Sequence, residues 1–147
     1  MRHNRSRLLF AGLGVVLVLG SCGDDGGSGG LTGEPGDPSQ VDESLDLEAT
    51  NELRFVPETV EVETGQTVEF VISNVSDVDH EFVLGPPHEH AGMDHSNMSG
   101  TEMTGTIPPG ESKTVVWTFA EPGEVIFACY IAGHNEAGMT GTVKISG

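Results

Sequence analysis

The sequence predicts an all-β fold, an antiparallel β-sandwich of seven to eight strands formed by residues 45–147. Short stretches of this part alternate apolar and polar residues with a period of two, the pattern of strands that bury one face. Gly, Pro and Asn interrupt these stretches at regular intervals, and no stretch shows helical periodicity. About a hundred residues suffice for one hydrophobic core of this kind and leave no room for a second domain.

The predicted strands follow one another between clear turn signals. The first begins at Leu45 and ends near Phe55, before Pro57. The strand at residues 113–119 shows the alternation well, because Val115, Trp117 and Phe119 fall on one face. The other strands are predicted at residues 60–63, 68–74, 80–84, 104–107, 124–130 and 140–146.

Residues 1–21 are predicted to be a signal peptide. A basic start with three arginines precedes an apolar run at residues 8–19, which is shorter than the roughly 20 residues of a membrane-spanning helix. Small residues stand directly before Cys22, and this junction resembles a bacterial lipobox, in which the cysteine is acylated. The alternative is an ordinary signal peptide with a chance cysteine. We expect an exported protein, lipid-anchored at Cys22 and facing the periplasm or the cell exterior.

Residues 22–44 are predicted to be a flexible tether. They are rich in Gly, Asp and Pro and contain almost no large apolar side chain. Such a segment cannot bury enough surface to offset the entropy lost on ordering.

The chain is strongly acidic, with a formal net charge of −17 that becomes more negative when the arginine-containing leader is removed. This charge repels nucleic acid and anionic lipids, so we expect no nucleic-acid partner and no membrane contact beyond the lipid anchor. It favours redox partners with a basic surface, or it serves only solubility. We expect a monomer.

A group of sulfur and imidazole side chains predicts a metal centre. The chain has two cysteines, and lipid on Cys22 leaves Cys129 as a lone thiol, which is a liability in an oxidising compartment unless a metal holds it. Cys129 shares one short loop with His134 and Met139, and His80 lies far upstream. Two His, one Cys and a weak Met are the ligand set of blue-copper electron-transfer sites. The alternatives are a buried apolar role for Cys129 and a core role for Met139.

Several motifs together resemble the small bacterial cupredoxins of the plastocyanin/azurin superfamily over residues 45–147. They are Phe55-Val56-Pro57, Gly65-Gln66-Thr67-Val68, Asp79-His80-Glu81-Phe82, Pro109-Gly110 and the loop with Cys129, His134 and Met139. The resemblance implies a Greek-key sandwich and one type 1 copper ion, with His80, Cys129 and His134 in the equatorial plane.

Two features depart from the simplest members of that superfamily. Four residues separate Cys129 from His134, and four separate His134 from Met139. Two gaps of this length together affect the distance of the axial ligand and the reduction potential. Glu81 stands where some relatives carry Asn, so a hydrogen bond to the loop after Cys129 is expected to be missing or replaced.

An insertion rich in His and Met follows the strand that begins at His80. Its Gly, Pro and Ser content predicts a loop, and its side chains are candidate ligands for auxiliary copper. The alternative is a solvated loop that happens to be rich in His, because no spacing in it enforces one geometry. The candidate auxiliary ligands are His88, His90, Met93, His95 and Met98.

The leading hypothesis is an electron carrier that shuttles single electrons between redox proteins outside the cytoplasm. It is not expected to be an enzyme, since four protein ligands leave no open position for a substrate. The alternative is a copper chaperone or buffer in copper homeostasis or resistance that uses the His/Met loop. A weaker alternative is a detached domain resembling those of copper oxidases or nitrite reductases. A two-copper centre is disfavoured because only one cysteine is available to bridge it.

Overall fold

The computed structural model of the chain describes residues 33–85 and 102–147. These residues form ten β-strands and no helix. The strands are β1 (Gly33–Pro35), β2 (Glu43–Ala49), β3 (Phe55–Val56), β4 (Thr59–Glu63), β5 (Thr67–Asn74), β6 (His80–Gly85), β7 (Glu102–Ile107), β8 (Ser112–Phe119), β9 (Gly123–Ala128) and β10 (Thr140–Ser146).

The strands form two five-stranded sheets, ordered β1-β8-β5-β2-β3 and β4-β10-β9-β6-β7. The chain crosses between the sheets several times, and the predicted all-β sandwich is confirmed. The strand count exceeds the predicted seven to eight because β1 and β3 have only three and two residues. Stretches of this length are too short to show an alternating pattern.

Two strand pairs are parallel, β2 with β5 and β4 with β10, whereas the remaining pairs are antiparallel. The predicted antiparallel arrangement therefore holds for the other strand pairs but not for these two. Period-two alternation reports which face of a strand is buried but not the direction of its neighbour, so the sequence pattern could not distinguish the two arrangements.

The core between the sheets is built by the alternating residues and centred on Phe82. Its ring lies 5.8 Å from that of Phe55, 5.7 Å from Phe70 and 5.4 Å from Phe127, measured between centroids. Phe82 is fully buried and lies on β6, two residues after His80. The packed rings therefore support the strand that carries the first candidate ligand.

The folded structure begins before the predicted boundary at Leu45. Strand β1 pairs with β8, placing Gly33 opposite Phe119, and the Gly36 N–H donates to the carbonyl of Val116 at 2.9 Å. The structure thus differs from the predicted tether over residues 33–44. Backbone pairing needs no apolar side chains, and the side chains of β1 are exposed, so composition carried no signal. Residues 1–32, which include the predicted signal peptide and Cys22, lie outside the described residues.

The second sheet gathers the candidate ligands at one end. His80 is the first residue of β6, Cys129 directly follows β9, and Met139 directly precedes β10. Strand β9 lies between β6 and β10, and runs antiparallel to both. The end of β6 that carries His80 therefore lies beside the end of β9 and the start of β10. We call this end of the sandwich the metal end.

The His/Met insertion leaves the sheet at the end opposite the metal end. Gly85 closes β6 at the end remote from His80, roughly 16 Å away at about 3.3 Å per strand residue. Glu102 pairs with Leu84, so the returning chain enters at the same place. The predicted auxiliary ligands in residues 86–101 lie outside the described residues. Within the described ranges there is no helix long and apolar enough to cross a membrane.

Candidate metal centre

Three of the four predicted ligands converge at the metal end. Potential ligand atoms of His80, Cys129 and His134 all lie within 4.8 Å of one another. Cys129 Sγ is 3.4 Å from His134 Nδ1, and the two imidazole centroids are 5.0 Å apart. Atoms bound to one first-row metal ion at about 2.0–2.3 Å take separations of this order. His80 and Cys129 are fully buried, whereas His134 is partly exposed.

His80 presents an unused nitrogen to this cluster. Its Nε2 lies 2.8 Å from Ser76 Oγ, whereas its buried Nδ1 has no hydrogen-bond partner in the described part of the chain. Burial, followed by repulsion from His134, lowers the pKa of His80 and favours the neutral ring. A neutral ring that donates from Nε2 keeps a lone pair on Nδ1, the form in which histidine binds a metal. The donor set therefore fits a metal ion.

A buried polar network holds Ser76 in place. The Asn74 side-chain amide donates to the carbonyls of Val78 and Ile107, at 2.7 and 2.8 Å. Asn74 Oδ1 accepts from both the N–H and the hydroxyl of Ser76. The Ser76 hydroxyl can thus accept from His80 while it donates to Asn74, which favours the tautomer with its proton on Nε2. Sequence reasoning missed both residues, because a Ser and an Asn before a strand are ordinary turn residues.

Cys129 is held as a neutral thiol unless a metal replaces its proton. Burial raises the pKa of the Cys129 thiol to about 11, and the Glu81 carboxylate adds a smaller increase. Backbone hydrogen bonds from Glu81 and Ile131 act in the opposite direction. Because thiolate is the form that binds metal, binding here releases a proton and becomes stronger as pH rises.

The loop from Cys129 to Met139 is closed by its own backbone. The Met139 N–H donates to the carbonyl of His134 at 3.0 Å, and the Cys129 N–H donates to the carbonyl of Met139 at 3.1 Å. These bonds tie three predicted ligands together through their main chains. The Met139 side chain is fully buried within the core. Its role as an axial ligand stays a prediction.

Glu81 joins the two segments that carry ligands. Its carboxylate accepts a hydrogen bond from the Tyr130 N–H at 3.0 Å, immediately after Cys129. The hydrogen bond to this loop, which the sequence led us to expect as missing or replaced, is therefore provided by a carboxylate. A carboxylate adds a negative charge beside the cluster, which favours a cationic occupant.

Ser76→Ala is expected to weaken copper binding by about 10- to 100-fold, the usual effect of losing the hydrogen bond that orients a ligating histidine. Competition with a chelator of known affinity measures the change. Ser73→Ala is a matched control, because the Ser73 hydroxyl bonds to Ser112 Oγ, at 2.9 Å in an exposed position, and not to a ligand. Equal affinities for the Ser76 variant and the parent would contradict the orienting role.

Comparison with known proteins gives relatives that cover most of the described chain. Residues 41–146 match the family described as copper binding proteins, plastocyanin/azurin family. The copper-resistant cuproprotein CopI of Rubrivivax gelatinosus is 35% identical over 123 residues, covering 77% of this chain and 72% of that protein. Plastocyanin of Lactuca sativa is 34% identical over 94 residues, covering 64% of this chain and 89% of that protein.

Solved structures share the fold. Auracyanin B superimposes with a TM-score of 0.67 at 18% identity, covering 82% of this chain and all (100%) of that one. The dithionite-reduced auracyanin of Roseiflexus castenholzii gives a TM-score of 0.64 at 22% identity, covering 73% and 99%. At these identities the likeness concerns the arrangement of the strands.

Proposed function

Because the chain belongs to the plastocyanin/azurin family of copper binding proteins, we propose that it holds one copper ion in a type 1 centre. In this proposal it passes single electrons between redox proteins outside the cytoplasm. The observation that carries the proposal is the cluster of His80, Cys129 and His134, in which His80 Nδ1 is buried without a hydrogen-bond partner among the described residues.

The proposed ligands are His80, Cys129 and His134 in one plane, with Met139 as a weak axial ligand. Copper held by this set supplies a one-electron couple between Cu(II) and Cu(I). The chain contributes rigidity, because Ser76 orients His80, and backbone hydrogen bonds join Cys129 to Met139 and Met139 to His134. Ligands that cannot rearrange when the charge changes keep electron transfer fast. We propose no catalysed reaction.

The partly exposed ligand gives electrons a route to a partner. His134 is the one member of the cluster that is not fully buried, so its ring edge is the natural point of contact. The acidic chain, with its net charge of −17, would attract a redox partner with a basic surface. The copper protein itself is proposed to act as a monomer.

We propose that the protein is exported and anchored by lipid on Cys22. The basic start, the apolar run and the small residues before Cys22 support this location. A lone buried thiol at Cys129 also suits an oxidising compartment when a metal protects it. The lipid would be its single contact with the membrane.

Copper resistance is the second candidate function. Two observations favour it: the 35% identity to a copper-resistant cuproprotein and the His/Met insertion of this chain. In this role His88, His90 and His95, with Met93 and Met98, would bind additional copper. Met103 belongs to the structural part, because it packs partly buried against Val83, Ala128 and Tyr130.

Copper stoichiometry distinguishes the two functions. We expect the variant with His88, His90 and His95 replaced together by Ala to keep the blue spectrum, because the insertion joins the sheet at Gly85 and Glu102, away from His80. An electron carrier should bind one copper per chain in parent and variant alike. A buffer should bind more in the parent and lose the excess in the variant.

The titration is made with Cu(I) under reducing conditions, in parallel with Cys129→Ser, which removes the thiolate of the main centre and leaves His80, His134 and Met139 there beside the insertion. Copper retained by Cys129→Ser and lost after the triple substitution would establish the buffering role. Equal stoichiometry and equal loading rates in parent and triple variant would exclude it.

A further inference from the structure

The turn between β2 and β3, residues 50–54, lies against the loop that carries the ligands. Arg54 Nη1 donates to the carbonyl of Ala137 at 2.7 Å and to that of Leu53 at 2.8 Å. The turn belongs to the first sheet, whereas Ala137 lies in the connection between β9 and β10 of the second. This hydrogen bond therefore fastens one sheet to the ligand loop of the other.

The Arg54 guanidinium also packs beneath the residue before Met139. A Cβ placed on Gly138 would lie 3.4 Å from both terminal nitrogens of Arg54. Gly138 has φ of +94°, a conformation that favours glycine. The backbone shape thus favours glycine here, and the Arg54 guanidinium lies at van der Waals distance from this position.

The same turn contacts the segment that leads to His80. Asn51 Oδ1 accepts a hydrogen bond from the Asp77 N–H at 3.0 Å. The turn consequently touches both ligand-bearing segments, although it supplies no ligand.

We propose that Arg54 is a positioning residue of the metal centre, which sets the place of Met139 by holding the Ala137 carbonyl and supporting Gly138. The inference rests on the proposed copper function. Without Arg54, the Ala137–Gly138 peptide would keep the bond from its Gly138 N–H to the carbonyl of Asn135, which lies within the same loop. A freer peptide one residue before Met139 would change the position of the Met139 side chain, and with it the colour and the reduction potential of bound copper.

If Arg54 acted only through its positive charge, removing another cation would have the same effect on the metal centre. Arg54, Lys113 and Lys144 are the cations of the described residues, so removing any of them makes the molecule more negative. Glu58 Oε1 lies 3.6 Å from Arg54 Nε, but such a surface pair contributes little. Arg54→Lys keeps the charge and loses the planar guanidinium. This variant therefore separates an effect of charge from an effect of the guanidinium contacts.

The test compares Arg54→Gln and Arg54→Lys with two controls, Lys144→Gln for charge and Glu58→Gln for the ion pair. The copper-loaded full chain is examined by visible absorption, electron paramagnetic resonance and redox titration. We expect both Arg54 variants to change the spectrum and to shift the equilibrium with a reference couple by about tenfold, or 59 mV for one electron. Both controls should resemble the parent.

Amide hydrogen exchange of the copper-free chain gives a second readout. Protection of the Gly138 and Met139 amides should fall about three- to tenfold in both Arg54 variants, the effect of one lost hydrogen bond, and should not fall in the controls. Parent-like spectra and protection in Arg54→Lys would overturn the proposal, as would a change in Arg54→Gln that Lys144→Gln reproduces. A parent without blue colour would instead refute the type 1 centre, and the exchange data would still test whether Arg54 holds the loop.

Discussion

Replacing Cys129 by Ser is expected to abolish the intense visible colour of the copper-loaded protein, while the sandwich stays folded. The colour of a type 1 centre requires the bond from copper to thiolate, and a serine oxygen is a hard ligand that Cu(I) disfavours. The buried hydroxyl would still accept the backbone hydrogen bonds from Glu81 and Ile131 that the sulfur receives. The fold therefore loses little.

Absorption spectroscopy measures the colour, and near-ultraviolet circular dichroism of the buried Trp117 serves as the control for folding. Colour that persists with an intact Trp117 signal would show that copper is held elsewhere. Loss of both signals would mean that the main role of Cys129 is packing in the core, which is the alternative that the sequence left open.

Phe82→Ala is expected to lower the free energy of unfolding of the copper-free protein by about 3–5 kcal/mol. The substitution removes the ring that contacts Phe55, Phe70 and Phe127, and the rigid sheets can close the cavity only partly. This loss is a large part of the roughly 5–15 kcal/mol that stabilises a domain of this size.

Urea unfolding of the copper-free chain measures the effect of Phe82→Ala. Val78→Ala is the matched control, because Val78 precedes the same strand but is 44% exposed, and we expect a change within about 0.5 kcal/mol. Similar unfolding free energies for the two variants would show that the aromatic cluster is not the centre of the core.

The fold followed from the sequence where the pattern was local. Alternation between buried and exposed positions defined β4, β5 and β8, and their bounds agree with the prediction within one residue. The pattern failed for β1, whose side chains are exposed, and for the direction of β2 relative to β5. Both depend on backbone pairing between distant segments, which leaves no periodic trace in either strand.

The candidate site was predictable to a similar extent. Cys129 and His134 were recognisable from their short spacing, and the structure brings His80 to them from far upstream. Ser76 and Arg54 were not recognisable, because each acts through a contact that only the folded chain creates. The Arg54 bond to Ala137 joins residues 83 positions apart. Met139 as a ligand, lipid on Cys22 and the auxiliary sites stay predictions.

The pairing of β1 with β8 would also orient a lipid-anchored molecule relative to the membrane. Strand β8 begins at Ser112, opposite Ser73 near the metal end, and finishes at Phe119, where Gly33 pairs with it. A chain that is acylated at Cys22 would thus enter the sandwich at the end opposite the metal end. The distance between the two ends is roughly 23 Å, at about 3.3 Å per residue. A domain attached in this way would present His134 toward the aqueous space and away from the bilayer. Soluble redox partners would then reach the copper without approaching the lipid surface.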